Sequence, residues 1–216
     1  LQRLEYRGYD SAGIMMYDGE EIRVTKTKGK VSDLEQLTEK SPSSKLGSIG
    51  IGHTRWATHG VPNDVNSHPH TSMSGDLVIV HNGIIENYDT IKKELISRGY
   101  TFKSDTDTEV LVNLIEEVKK QEGCKLGKAV QLALTQVIGA YAIAVFDKSK
   151  TNEIVVARLG SPIAIGIGKD NKEFFVASDA SPFIEYTKEA IYLEDEELAI
   201  IKLNKGIKVR KIHDDS

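Results

Sequence analysis

Apolar positions change their spacing twice along the chain. Runs over 14–17 and 22–27 flank Asp18-Gly19, which predicts a β-hairpin. Ser32 with Glu35 three residues later has the pattern of a capping box and predicts a short helix. The runs 48–53 and 77–81 read as buried strands joined by a long polar loop. The period then becomes helical over 87–98, over 107–121 (where Val110, Leu111, Leu114, Ile115 and Val118 share one face) and over 128–138. After Gly139 it returns to strands: 140–146, 153–159, 163–167, 174–177, 191–193, 198–203 and 207–212. Only 181–186 interrupts them with a helical pattern. Short connections favour antiparallel neighbours, so the fold class is α+β, with sheet faces covered by helices. Leu1 and Leu4 have the spacing of the tail of an amphipathic helix, and no Met precedes them, so an upstream segment is expected.

Composition narrows the class. Of 216 residues, 39% are apolar and 28% charged, with 18 Gly and 5 Pro, which is enough to bury a core and excludes disorder or a collagen-like chain. No repeat appears, and Ser41-Pro42-Ser43-Ser44 is too short for a linker, so 1–216 reads as one domain. With 28 basic and 32 acidic residues the net charge is -4, which argues against nucleic acid as a partner. The longest apolar stretch, 137–146, falls short of the about 20 residues that span a bilayer, so no membrane association is expected. No signal-peptide pattern opens the chain, and the single cysteine, Cys124, excludes an internal disulfide; both fit a cytoplasmic protein.

The candidate chemistry concentrates between His53 and His81. Five of the six histidines (His53, His59, His68, His70 and His81) and the only tryptophan, Trp56, lie there. The run Gly52-His53-Thr54-Arg55-Trp56-Ala57-Thr58-His59-Gly60 ends a predicted strand and enters a loop, where binding groups tend to sit. Arg55 offers a planar fork for a carboxylate, and Thr58 and His59 offer hydrogen bonds. A core-facing Trp56 beside a surface Arg55 explains the same run equally well. His68-Pro69-His70 lacks a nearby carboxylate or thiolate to complete a metal shell, so structural histidines are favoured and no metal is expected. His81-Asn82-Gly83 closes a predicted strand. It reads either as a turn or as two N–H donors aimed at one point, as acyl transfer requires. In the acidic run from Ser104 to Glu109, Asp105 and Glu109 read as helix caps; the alternative is that one acid faces a ligand ammonium. Cys124 has no local His, Asn or Asp and reads as a bystander.

Taken in order, Leu4-Glu5-Tyr6-Arg7-Gly8-Tyr9-Asp10-Ser11-Ala12-Gly13, the Thr54-to-Gly60 run, His68-Pro69-His70, the run from His81 to Asn87, the run from Ser104 to Val110, Gly139-Ala140-Tyr141 and Arg158-Leu159-Gly160-Ser161-Pro162 resemble the glutaminase domain of the glutamine–fructose-6-phosphate aminotransferases. The resemblance covers essentially the whole chain. It implies an N-terminal-nucleophile hydrolase fold, a four-layer αββα sandwich of two antiparallel sheets. It also implies a reaction without cofactor: an N-terminal Cys thiolate attacks the glutamine side-chain amide, ammonia leaves, and water hydrolyses the thioester.

By that resemblance, Arg55 would hold the substrate α-carboxylate and Asp107 its α-ammonium. Thr58 and His59 would complete the pocket, and Asn82 with the Gly83 amide would form the oxyanion hole. Trp56 would gate the ammonia path and Arg7 would support the nucleophile region. Glutamine and its product glutamate are the expected ligands, and C-terminal sugar-isomerase domains of the same enzyme, a homodimer when complete, would receive the ammonia. Leu1 aligns inside the family's first helix. The chain as given is therefore expected to lack the first strand, the nucleophilic Cys and turnover. Two further readings stand beside this one: the glutaminase domain of another amidotransferase, and a non-catalytic amino-acid-binding module.

Overall fold

The protein is described by a computed structural model over residues 1–40, 48–56 and 60–214. The chain opens with a 3-10 helix, Gln2–Arg7, and not an α-helical turn: Leu4 N–H donates to the Leu1 carbonyl at 2.8 Å and Gly8 N–H to that of Glu5 at 3.0 Å. Strands β1 (Ser11–Tyr17) and β2 (Ile22–Lys28) form the predicted hairpin. Asp18 stabilises its turn by accepting the Glu20 and Glu21 N–H groups at 3.0 and 2.9 Å. Helix α1 (Val31–Glu39) follows at once. Its capping lies two residues earlier than Ser32 and Glu35 predict. Lys30 is the N-cap, its N–H donates to Asp33 Oδ2 at 2.8 Å, and Val31 N–H donates to Glu5 Oε1 at 3.0 Å. Gly29, at φ +110°, turns the chain out of β2 and starts the helix early.

The remaining strands are β3 (Ile49–Arg55), β4 (His70–Thr71), β5 (Leu77–Ile85), β6 (Gly139–Asp147), β7 (Glu153–Leu159), β8 (Ala164–Ile167), β9 (Phe174–Ala177), β10 (Ala190–Tyr192), β11 (Glu197–Lys202) and β12 (Gly206–Lys211). Three helices, α2 (Tyr88–Ser97), α3 (Asp107–Glu122) and α4 (Leu126–Leu134), lie between β5 and β6. Helix α4 thus starts and stops earlier than its apolar period suggests, and 181–186 is a run of turns, with Ile184 N–H on the Ala180 carbonyl at 3.0 Å. Pairing is antiparallel throughout the named strands. The sheets have the orders β2-β1-β3, β10-β8-β9 and β12-β11-β7-β6-β5-β4.

Alternation along β5 and β6 sorts the layers. Leu77, Ile79, Ile143 and Val145 face the helices and form the largest core with Val110, Leu111 and Ile115 of α3. Val78 and Phe146 face the other way, onto Met15, Tyr17 and Ile51 of the first sheet. Ala142, Ala144 and Val156 meet Ile163 and Ile165 at the β10-β8-β9 sheet. Helix α1 covers the outer face of the first sheet, Val31 and Leu34 packing on Ala12 of β1. The result is the four-layer αββα sandwich, with its second sheet layer divided into two three-stranded sheets. Among the described residues no helix is long and apolar enough to cross a membrane.

Candidate active site

Strand β5 does not end at His81. It continues through Asn82 and Gly83, paired with Ala142 and Tyr141, to Ile85. Gly83 adopts φ +126°, and a Cβ there would lie 2.1 Å from the Ala140 carbonyl oxygen, so neither the conformation nor the space admits another residue. The Asn-Gly pair is therefore a distorted strand segment and not a hairpin turn. Period-two geometry puts Asn82 on the face of Val78, toward the smaller sheets, where its Oδ1 lies 2.6 Å from His53 Nε2. His81 points to the helices, with Nδ1 3.0 Å from Thr108 Oγ1.

At the start of α3 the N-cap is Thr106, whose hydroxyl accepts Glu109 N–H at 3.3 Å. Glu109 reaches back to accept the Lys103 and Ser104 N–H groups at 2.9 and 2.6 Å. Asp105 does not cap: its N–H donates to Asn66 Oδ1 at 3.0 Å, fastening the loop before β4 to the helix. Asp107, the first helical residue, is buried. Its Oδ2 accepts Ile85 N–H at 2.8 Å and lies 4.0 Å from His81 Nδ1.

Arg55, the last residue of β3, is also buried, only 4% exposed, while Trp56 beside it is 68% exposed. This reverses the reading of a core tryptophan and a surface arginine. Arg55 Nη2 donates to the Gly60 carbonyl at 3.4 Å, and Nη1 lies 3.9 Å from Asp10 Oδ1. Burial lowers the pKa of the guanidinium, and the charges of Asp10 and Asp107 oppose that shift. The Trp56 ring lies against Gly8, where a Cβ would approach it to 2.9 Å. Arg7 donates to Ser178 Oγ at 2.7 Å and pairs with Asp179, tying the 3-10 helix to the segment after β9.

Arg7, Arg55, Trp56, Asn82, Gly83 and Asp107 all line one cavity of about 590 Å³. Thr58 and His59 lie outside the described residues. Cys124 does not line it; it follows the C-terminal end of α3, about 24 Å along the helix from Asp107 at 1.5 Å per residue. Burial pushes its thiol pKa up.

Three buried histidines, His53, His68 and His70, are held neutral. Burial lowers His53 to about 4 and lowers His68 and His70 well below the usual imidazole range. His68 stacks on His53 with centroids 4.2 Å apart, and His70 Nε2 lies 3.1 Å from Thr106 Oγ1. Among the described residues no group of three His, Cys, Asp or Glu side chains could hold a metal ion. His53 is the residue that sequence reasoning missed. It stood out only as one of several histidines, and its contact with Asn82 joins two strands far apart in the chain.

The fold and the site define a class. Residues 33–211 match the family model of the glutamine amidotransferase domain, and the chain belongs to that family. It is 56% identical over 210 residues to the glutamine–fructose-6-phosphate aminotransferase (isomerizing) of Bacteroides thetaiotaomicron, covering 97% of this chain and 34% of that protein. It is 52% identical over 203 residues to the enzyme of the same name from Chlorobaculum tepidum, covering 93% and 33%. The chain thus spans about a third of the length of these relatives. Among solved structures, a glutamine phosphoribosylpyrophosphate amidotransferase from B. subtilis, complexed with ADP and GMP, superposes with a TM-score of 0.77 at 30% identity, covering 98% of this chain and 45% of that one. An allosteric regulatory enzyme of purine biosynthesis superposes with a TM-score of 0.79 at 31% identity, covering 97% and 44%.

Proposed function

We propose that this chain forms the substrate pocket and oxyanion hole of the glutaminase part of an enzyme that hydrolyses the side-chain amide of L-glutamine to glutamate and ammonia and aminates fructose 6-phosphate to glucosamine 6-phosphate. The observation that carries the reading is the meeting of a buried guanidinium, a buried carboxylate and the Asn82-Gly83 pair on one cavity. A free amino acid is a zwitterion. Arg55 presents the fork for its α-carboxylate and Asp107 the counter-charge for its α-ammonium. Thr58 and His59 complete this pocket in the family pattern.

The side-chain amide then reaches the region of Asn82 and Gly83. As a thiolate attacks the amide carbon, the carbonyl oxygen gains negative charge, and the Asn82 Nδ2–H and Gly83 N–H groups stabilise it. One such donor is worth on the order of 10²–10³ in rate. Collapse expels ammonia, and water then cleaves the thioester to glutamate. In this reading the thiolate is the N-terminal Cys of the family and not Cys124. Arg7 braces that region, and Trp56 covers the route by which ammonia leaves for the sugar-binding part of the enzyme. Sequence identities of 52–56% to fructose-6-phosphate aminotransferases, against 30–31% for the purine-pathway structures, favour the sugar as acceptor.

The test is glutamine turnover by the complete protein as its gene encodes it, with and without fructose 6-phosphate. Glutamate release, with glucosamine 6-phosphate formed when the sugar is present, is the expected result. Glutamine binding with no glutamate released would overturn the reading in favour of a non-catalytic module.

A further inference from the structure

An asparagine in an oxyanion hole must present its NH₂ group and not its oxygen. The two ends of the amide are alike in shape, and a half-turn about χ2 would aim an acceptor at the developing negative charge. Nothing in the backbone of β5 decides between them. The deciding contact comes from the facing sheet, where His53 on β3 brings Nε2 to 2.6 Å from Asn82 Oδ1.

The proton on that ring is assigned by its surroundings. Burial lowers the His53 pKa to about 4, so near neutral pH the imidazole carries one N–H. Its Nδ1 is shut off from solvent and has no partner within hydrogen-bond geometry among the described residues; the His81 carbonyl near the ring lies outside that geometry. A proton on Nδ1 would be a buried donor without a well-placed acceptor and would set a lone pair of Nε2 against the Asn82 oxygen, and the second is the larger cost. With the proton on Nε2 the ring donates to Oδ1. The ring plane is itself fixed. It stacks on His68 at 4.2 Å and 18°, and His68 Nδ1 accepts the N–H of His81, the β5 neighbour of Asn82, at 3.4 Å. Gly13 makes room for this arrangement, since a Cβ there would lie 1.9 Å from the His68 carbonyl oxygen.

We infer that His53 is a positioning residue for the glutaminase reaction: its Nε2–H holds the Asn82 oxygen and so commits Nδ2 to the oxyanion. The inference rests on the role proposed above for Asn82. It differs from a packing role because a shape-preserving ring without the N–H loses it and a non-aromatic side chain with an N–H near the same point retains it.

The experiment compares His53→Phe, His53→Gln, Asn82→Ala and the His53→Phe/Asn82→Ala double variant in the complete protein, reading kcat and KM for glutamine and the melting temperature of each. Asn82→Ala should lose about 10²–10³ in kcat. His53→Phe should lose at least about tenfold in kcat with little change in KM, as expected when an interaction made only in the transition state is removed. The double variant should be no slower than Asn82→Ala alone, because the two act as a unit. His53→Gln, whose amide nitrogen can occupy the position of Nε2, should recover most of the rate, and it stands as the test if the Phe variant does not fold. A slow Asn82→Ala with a fully active His53→Phe, losses that multiply in the double variant, or a folded His53→Gln without recovery would overturn the inference and leave the proposed function standing. A fully active Asn82→Ala would overturn the Asn82 role itself and this inference with it.

Discussion

Arg55 and Asp107 share the wall of one cavity, Arg55 from the end of β3 and Asp107 from the first turn of α3, and the carboxylate counteracts part of the desolvation of the guanidinium. Each is fastened to backbone: Arg55 to the Gly60 carbonyl and Asp107 to the Ile85 N–H. Keeping a cation and an anion out of water is costly unless both are matched. Asp10, 3.9 Å from Arg55, already supplies part of that match; a zwitterionic amino acid between Arg55 and Asp107 would add a counter-charge to each and would also set the direction in which its side chain runs.

Asn82→Ala should separate binding from chemistry. The expected result in steady-state kinetics is a fall of about 10²–10³ in kcat for glutamine hydrolysis with KM little changed. A raised KM at constant kcat would make Asn82 a ground-state contact.

Gly83→Ala should fail at the level of folding. The φ of +126° costs about 1–3 kcal/mol for a residue with a side chain, and the 2.1 Å approach to the Ala140 carbonyl adds a clash that only backbone movement relieves. Thermal melting should fall by several degrees at least, at roughly 2–4 °C per kcal/mol for a domain of this size. An unchanged Tm would mean that β5 is not bent as described.

Acid should weaken the fold before the carboxylates titrate. His53, His68 and His70 have folded pKa values depressed by burial, whereas in the unfolded chain a histidine titrates near 6.5. Below about 6.5 the unfolded state takes up protons that the folded state refuses, so stability is fully present above that pH and falls as pH is lowered toward about 4. The limit is about 1.4 kcal/mol per pH unit for each histidine. Urea unfolding at pH 7.5 and pH 5 should show a clear loss at the lower value; equal stability would mean that the histidines are not buried as neutral groups.

Cys124→Ser should leave glutaminase activity unchanged, since the thiol lies at the far end of α3 from the cavity. A folded but inactive variant would assign the thiol a part in the chemistry.

Much of the architecture was legible because it is local. The β1–β2 hairpin follows from Asp18-Gly19, and α3 from its apolar face and first-turn acids. The boundaries that moved did so for reasons that period counting does not contain. Gly29 starts α1 early, and the run past His81 stays in β5 because Asn82 and Gly83 find partners on β6. At the site, six of the lining residues (Arg7, Arg55, Trp56, Asn82, Gly83 and Asp107) were named by motif, yet Arg55 and Trp56 were open to a reversed reading because strand alternation alone does not say which face is buried. The caps at α3 were half legible. Glu109 folds back as a capping acid, while Asp105 turns to Asn66, a partner across a loop. The His53–Asn82 contact was not legible, since it joins two strands of different sheets.

The most direct test of the central claim pairs a change in the ligand with a change in the protein. Calorimetric titration of the complete protein should show L-glutamate binding tighter than its α-amide, isoglutamine, by about tenfold to a hundredfold, the worth of a charge-assisted bidentate contact. In Arg55→Met the preference should vanish, both ligands binding equally weakly, while Asp107→Asn should leave it in place and instead lose discrimination against N-acetyl-glutamate. If Arg55→Met weakens both ligands alike and the preference for the free carboxylate survives, Arg55 does not hold the α-carboxylate and the account fails.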